Sequence, residues 1–436
     1  MFVKSHLGRS HVKVAAAVAA VSLLAVACGS SSSSKAVSTT AASGSSTSAT
    51  SGSTSATSGS TSATSGGTAP SGAPIVLGNI GSYSQTSNSI QTPGAAPIEA
   101  WASWVNAHGG INGHPVKLIS MNDQGNQALA VSDVQQMVSQ DHVIALLSVQ
   151  DAPLYTGFEA FLDQQKIPVL GGNVYTPAWT TDPMFFPQGA SFLGNSGADV
   201  AYIKQIGLKK AGIIGCSGVV QCTEEVTFFK QLSQAAGIDM VYGANPSNNA
   251  PDYTATCLAA QSAGAQILVL GIATATEGNT IAQDCARQNY KPDWIIPGEA
   301  IGPGYLNSSF ENAFNFSLTS PWYSTAPVMA DYHSAMSQYT KINFSTVEEP
   351  LLATDAWASG LMLEKAIQLS GQTGMPTSAD VLAGLQKFNK ETLGGFIAPV
   401  TFTDPTNKVG NCFFVTMIKN SAFVQGNNGQ ADCPAA

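Results

Sequence analysis

The sequence predicts an α/β protein of two doubly wound parallel-sheet lobes joined by hinge strands. Three observations carry that prediction. From residue 73 onward, short β-branched runs alternate with longer helical patterns. Strands separated by single helices imply βαβ units and parallel sheets covered on both faces. About 364 residues follow residue 72, too many for one ordinary core and suited to two. After about residue 320 the alternation breaks into three helical stretches and a hairpin. The division that follows is 73–192 with 322–397 for lobe 1, and 193–321 with 398–436 for lobe 2. Hinge strands are expected near 190–195, 319–325 and 395–400.

In order, the expected strands are Pro74–Asn79, Pro115–Met121, Val143–Leu147, Ile167–Gly171, Ala211–Gly215, Gln266–Gly271 and Asp293–Pro297. In the first helix Ile98, Trp101, Ala102 and Val105 recur at i, i+3, i+4, i+7, the spacing of one buried face. Further helices are expected near 127–140, 153–165, 194–206, 223–236, 252–263 and 278–289, then 328–340, 353–369 and 378–388. A hairpin pairing Ala398–Phe402 with Asn411–Lys419 closes the series.

The start of the chain speaks to its compartment. Lys4, Arg9 and Lys13 precede the apolar run Val14–Val26, the charge and core of a secretory signal over residues 1–27. That run is too short to span a membrane, which takes about 20 residues. Leu24-Ala25-Val26-Ala27-Cys28 resembles the bacterial lipobox, with Ala25 where leucine is usual. The resemblance implies a lipidated N-terminus at Cys28, anchored at the extracellular face of the cell membrane. Residues 28–72 are almost wholly Ser, Thr, Ala and Gly, with TSATSGS repeated from Thr47 and Thr54. Such a segment cannot bury a core and reads as a flexible tether reaching roughly 35–40 Å.

Six cysteines remain beyond Cys28: Cys216, Cys222, Cys257, Cys285, Cys412 and Cys433. An even number outside the cytoplasm reads as three disulfides. Fifteen connectivities are open; the sequential pairing 216–222, 257–285, 412–433 is favoured. No C-x-x-C occurs, so no zinc ribbon or thioredoxin-type motif is supported. The formal charge of −9 becomes −12 once Lys4, Arg9 and Lys13 leave with the signal, and Arg287 is then the one arginine. A nucleic-acid partner, which needs clustered Lys and Arg, is excluded. Scarce arginine also disfavours a phosphorylated or dicarboxylate ligand.

The stretch VNAHGGINGHPVKL, residues 105–118, could be a metal site, a phosphate loop or a turn. Its glycines fit neither G-x-G-x-x-G nor G-x-x-x-x-G-K-[ST], and His108 and His114 belong to no H-E-x-x-H or H-x-x-x-H. Gly109-Gly110 can end the helix at positive φ, and Asn112-Gly113 can turn before a strand opened by Pro115. The stretch is expected to be a turn, with no metal and no cofactor.

"IVLGNIGSYSQ", "NAHGGINGHPVKLISMND", "VIALLS", "IPVLGGNVYTPAW", "AYIKQIGLKKAGIIG" and "LLATDAWASGLMLEKAI" follow in that order. The set resembles the periplasmic leucine/isoleucine/valine-type solute-binding family, over most of residues 73–420. That resemblance implies the type I periplasmic binding protein fold of lipoproteins serving ABC importers, and a monomer.

Ligands of open α/β sheets lie beyond the carboxyl ends of strands. The loops there carry Ser82 and Tyr83, then Ser148, Gln150 and Asp151, then Asn173 and Tyr175. The second lobe adds Thr274 and Glu299. By resemblance, first-lobe N–H groups and hydroxyls hold a ligand carboxylate, and an acidic second-lobe side chain takes its ammonium. Ser148 then opens the usual Ser/Thr pair, Val149 departs from it, and Glu299 occupies the acidic position. Asn173 and Tyr175 replace a customary alanine and threonine, and a loop framed by Cys216 and Cys222 replaces a tyrosine loop. No nucleophile elbow or H-E-x-x-H occurs, and the S-x-x-K at Ser32–Lys35 lies in the tether. The expected function is capture of a small organic solute (an amino acid, amide or related compound) for an ABC permease. The alternatives are a ligand-sensing lipoprotein of the same fold and, behind it, a secreted hydrolase.

Overall fold

The computed structural model describes residues 69–84, 93–150, 157–190, 192–217, 220–247, 250–271, 274–296, 298–406, 408 and 410–434. The signal, Cys28, nearly all of the tether and Asp151 lie outside the described residues.

The first lobe opens with β1 (Ile75–Gly81), α1 (Ala96–Ala107), β2 (Val116–Asn122), α2 (Gln127–Ser139) and β3 (Leu146–Val149). It continues with α3 (Glu159–Gln165), β4 (Val169–Gly172), α4 (Ala178–Thr181) and β5 (Phe185–Phe186). The strands form one parallel sheet in the order β2-β1-β3-β4-β5. Its two faces feed different cores. Leu77, Leu147 and Leu170 pack with Trp101 of α1, whereas Ile80, Leu146 and Val169 pack with Val134 and Met137 of α2. Burial on both faces explains why these strands read as continuous apolar runs instead of alternating ones.

The α1 stripe of Ile98, Trp101, Ala102 and Val105 is buried as its spacing predicts. Beyond it, Asn112 and Gly113 have φ of 52° and 79°, and Ile111 bridges His114 across them. Two successive left-handed residues are what an Asn-Gly hairpin turn requires. The His114 ring bonds the Ala73 carbonyl at 2.8 Å. The stretch is a turn.

The second lobe runs α5 (Phe192–Gln205), β6 (Lys210–Ile214), α6 (Val220–Ala236), β7 (Asp239–Ala244) and α7 (Thr254–Ala263). Then come β8 (Ile267–Leu270), α8 (Ala275–Arg287), β9 (Asp293–Ile296) and β10 (Phe314–Ser317). The chain returns to the first lobe as α9 (Ala330–Tyr339), α10 (Leu351–Ser370) and α11 (Ser378–Leu385), and ends with β11 (Phe414–Lys419) and β12 (Ala422–Gln425). The second sheet is ordered β12-β11-β10-β9-β8-β6-β7, with β11 and β12 antiparallel. α10 is buried on nearly every side, with Gly360 packed against the Trp101 indole.

Two expectations are corrected. The strand Asn411–Lys419 pairs with β10 and β12 and not with Ala398–Phe402. Ala398 packs with Cys412 and Phe414. Phe402 stacks on Phe388 and meets Phe186 edge-on, and the Lys408 N–H donates to Thr180 at 3.0 Å. Phe402 buries its ring there instead of pairing in a hairpin. β5, β7, β10 and β12 were not expected: β5 has two residues, β7 is only half-buried, and Asn315 and Ser317 interrupt the apolar run of β10.

The crossings between lobes meet at an antiparallel bridge from Thr319 to Ile397. Disulfides join Cys216 to Cys222, Cys257 to Cys285, and Cys412 to Cys433. The second ties α7 to α8; the third staples the C-terminal segment to the residues just before β11. Replacing both Cys216 and Cys222 with alanine is expected to lower unfolding stability by about 2 kcal/mol, since the loop closed is short. Urea titration of the double variant checks this, and a change below about 0.5 kcal/mol would count against it.

Candidate functional site

Each sheet reverses its strand order once, between β1 and β3 in the first and between β6 and β8 in the second. Loops at such switch points form the ligand crevice of open α/β sheets.

At the first, Gly81 bridges Gln150, and the Ser82 N–H donates to the Gln150 carbonyl at 3.2 Å. The Ser82 hydroxyl donates to Asp123 Oδ1 at 2.7 Å. The Tyr83 hydroxyl donates to Asn79 Oδ1 at 2.7 Å, and the buried Asn79 amide donates to the Leu147 and Ser148 carbonyls, both at 2.9 Å. That clamp holds Ser148 at φ 52°, a left-handed backbone costing a non-glycine residue roughly 1 kcal/mol or more. The Ser148 hydroxyl accepts from the Gln150 amide at 3.3 Å. The Asn173 N–H donates to Val149 at 3.0 Å, and the Tyr175 N–H to Asn173 at 2.9 Å. Ser82, Tyr83, Ser148, Gln150, Asn173 and Tyr175 thus share one polar edge over β1, β3 and β4.

Thr274 stands apart. It caps α8, its hydroxyl accepting from the Glu277 N–H at 3.1 Å and lying 3.1 Å from that residue's carboxylate. Beside the second switch point, Glu225 of α6 reaches toward Gly271, whose added Cβ would lie 2.8 Å from its carboxylate. Burial pushes Glu225 up to about 7. Burial, and then the Glu225 charge, holds Asp199 of α5 well above the carboxylate range.

Glu299 follows β9. It is 5% exposed, and neither carboxylate oxygen has a hydrogen-bond partner among the described residues. Gly298, Glu299, Phe316 and Ser317 of the second lobe line one small space with Leu351 and Asp355 of α10. In this conformation it has no room for a molecule the size of water. Asp355 is buried, and its Oδ1 accepts from the Thr319 hydroxyl at 2.9 Å, with Thr319 in turn 2.8 Å from the Thr354 hydroxyl. Burial pushes Glu299 up to about 7. Burial, with Glu299 and Glu348 adding to it, pushes Glu349 up to about 8, and burial plus Glu299 holds Asp355 well above its usual value.

Sequence reasoning singled out Glu299 and missed Asp355, Glu349, Thr319 and Glu225. One signal was available. Asp355 is the one charged residue between Leu351 and Leu363 of an otherwise apolar helix, and a charge so placed is informative. A larger groove of about 650 Å³ lies at the other end of α10, lined by Asn112, Glu364, Lys365 and Glu391, away from both switch points. Among the described residues no group of three or more His, Cys, Asp or Glu is placed to hold a metal ion.

Residues 74–425 match the family model described as periplasmic binding protein. The chain belongs to the periplasmic binding protein family. A branched-chain amino acid ABC transporter protein from Thermus thermophilus with bound valine superposes with a TM-score of 0.71 at 15% identity, over 83% of this chain and 97% of that one. A substrate-binding protein from Desulfitobacterium hafniense in complex with Leu gives 0.61 at 15%, over 81% and 100%. A solute binding protein from R. palustris in complex with benzoate also gives 0.61 at 15%, over 82% and 97%. These likenesses establish the fold. The comparison with curated proteins gave no match. Among its described residues, no helix of this binding protein is long and apolar enough to cross a membrane.

Proposed function

We propose that the chain is a monomeric, lipid-anchored receptor that captures a small organic solute between its lobes and delivers it to an ABC permease. The observation that carries this reading is Glu299: a buried carboxylate, without a partner among the described residues, aimed from the second lobe at α10 of the first. In the first lobe, Ser82, Tyr83, Ser148 and Gln150 bring hydroxyl and amide groups together at the β1/β3 switch point. An amino acid, an amide or a related compound suits such a pair of edges, and the valine, Leu and benzoate of the similar structures span that size range. Anchoring at Cys28 is supported by the lipobox-like exit and the tether after it.

Lobe closure over the solute supplies the shape a permease reads. Small molecules released from the purified, denatured chain are to be identified by mass spectrometry and titrated back by calorimetry. A true solute stabilises the chain by about 2.7 kcal/mol at a hundredfold excess over Kd. If nothing co-purifies and no solute in a broad panel shifts melting, the reading fails.

A further inference from the structure

We infer that the solute is a net organic cation, a diamine, basic amino acid or guanidino compound, gripped from both lobes by Glu299, Asp355 and Glu349. This rests on the solute-binding reading above and specifies its chemistry. Glu299 comes from the loop after β9 and Asp355 from α10, and the two line one small space between lobes; Glu349 lies just before α10, where the Glu299 charge acts on it.

Among the described residues every group that acts on them is neutral or acidic. Thr319 bonds Asp355, whose neighbours also include Gln188, Thr354 and the buried phenol of Tyr332. Glu348 adds to the charge on Glu349, and Tyr305 faces Glu348 and Glu349. Among the described residues no lysine, arginine or histidine acts on any of the three. The ion pairs among the described residues, Arg287–Asp284 and Lys365–Glu391, are elsewhere. Glu225 and Asp199 extend the acidic character along the second lobe's edge.

Buried carboxylates without a countercharge stay ionised only if a cation joins them; otherwise they hold protons. A benzoate brings no cation, and a zwitterion such as leucine brings one while adding a carboxylate. A net cation satisfies the cluster and displaces its protons.

The test is calorimetry of the full chain at pH 7 with 1,4-diaminobutane, L-lysine, L-leucine and benzoate, in two buffers of different ionisation enthalpy. The first two are expected to bind at least tenfold tighter than the others and to release protons. Asp355→Asn, which keeps an acceptor for Thr319, and Glu349→Gln each weaken their binding at least tenfold and shrink the proton release. Tighter binding of leucine or benzoate overturns the inference but leaves the solute-binding reading standing, as does diamine binding unchanged in both variants. No binding by any probe, with nothing released from the denatured chain, overturns both.

Discussion

Unliganded chain loses thermal stability as pH rises from 5 to 8, and Glu299→Gln removes part of that loss while stabilising the chain at pH 8 by about 2–3 kcal/mol. The sign follows from which state holds the protons. Burial raises Glu299 to about 7 and Glu349 to about 8, from an ordinary 4.5. Between those limits the folded state binds protons that the unfolded state has already released, so stability falls with pH. The contribution is complete below pH 4.5 and is lost as pH passes 7 to 8. At about 1.4 kcal/mol per pH unit, the raised Glu299 alone accounts for at most about 3 kcal/mol. Glutamine keeps the shape and carries no charge, so at pH 8 it escapes this loss. Lys408 works in another window: burial lowers it to about 8 from 10.5, which adds stability only as pH climbs above 8. Melting curves at pH 5, 6, 7 and 8 for both chains decide the matter. A wild-type midpoint that climbs over this range, or parallel lines for the two chains, would end the argument.

Gly384→Ala costs about 3 kcal/mol or more. α11 lies so close on α10 that a methyl at 384 would overlap the main-chain carbonyl of Ala366. Overpacked cores usually lose about 1–3 kcal/mol because side chains swing aside; here the obstacle is the backbone of a buried helix, which cannot. Gly197 of α5 is the matched control. Nothing lies within 4 Å of a Cβ added there, so alanine gains helix propensity of up to about 1 kcal/mol. Urea unfolding should move the two variants in opposite directions. Gly384→Ala within about 0.5 kcal/mol of wild type would show that the helices separate more easily than the packing implies.

The elements that sequence reasoning found are those whose signals are local. The α1 stripe, the Asn112-Gly113 turn and β8 with β9 depend on periodicity and φ preference within a few residues, and each sits within two or three residues of its expected place. The interrupted β10 and half-buried β7 lacked that signal. In the site, the first-lobe candidates came from the rule that loops follow strand ends, which holds wherever the βαβ order is known. Thr274 obeyed the rule and turned out to be a helix cap, because hydroxyls at strand ends and at helix starts occupy the same position in the sequence.

What the sequence determined alone is the alternation that makes the sheets parallel and the scarcity of basic side chains. Both are sums over near neighbours or over composition. Tertiary structure decided that Glu299 meets Asp355 and that Phe402 packs on Phe388 and Phe186. It also decided that Gly384 has room for no side chain, because α11 touches α10 there, a contact no local pattern encodes. A carboxyl's cost depends on what surrounds it after folding, and for Glu299 those surroundings come from a helix more than fifty residues away.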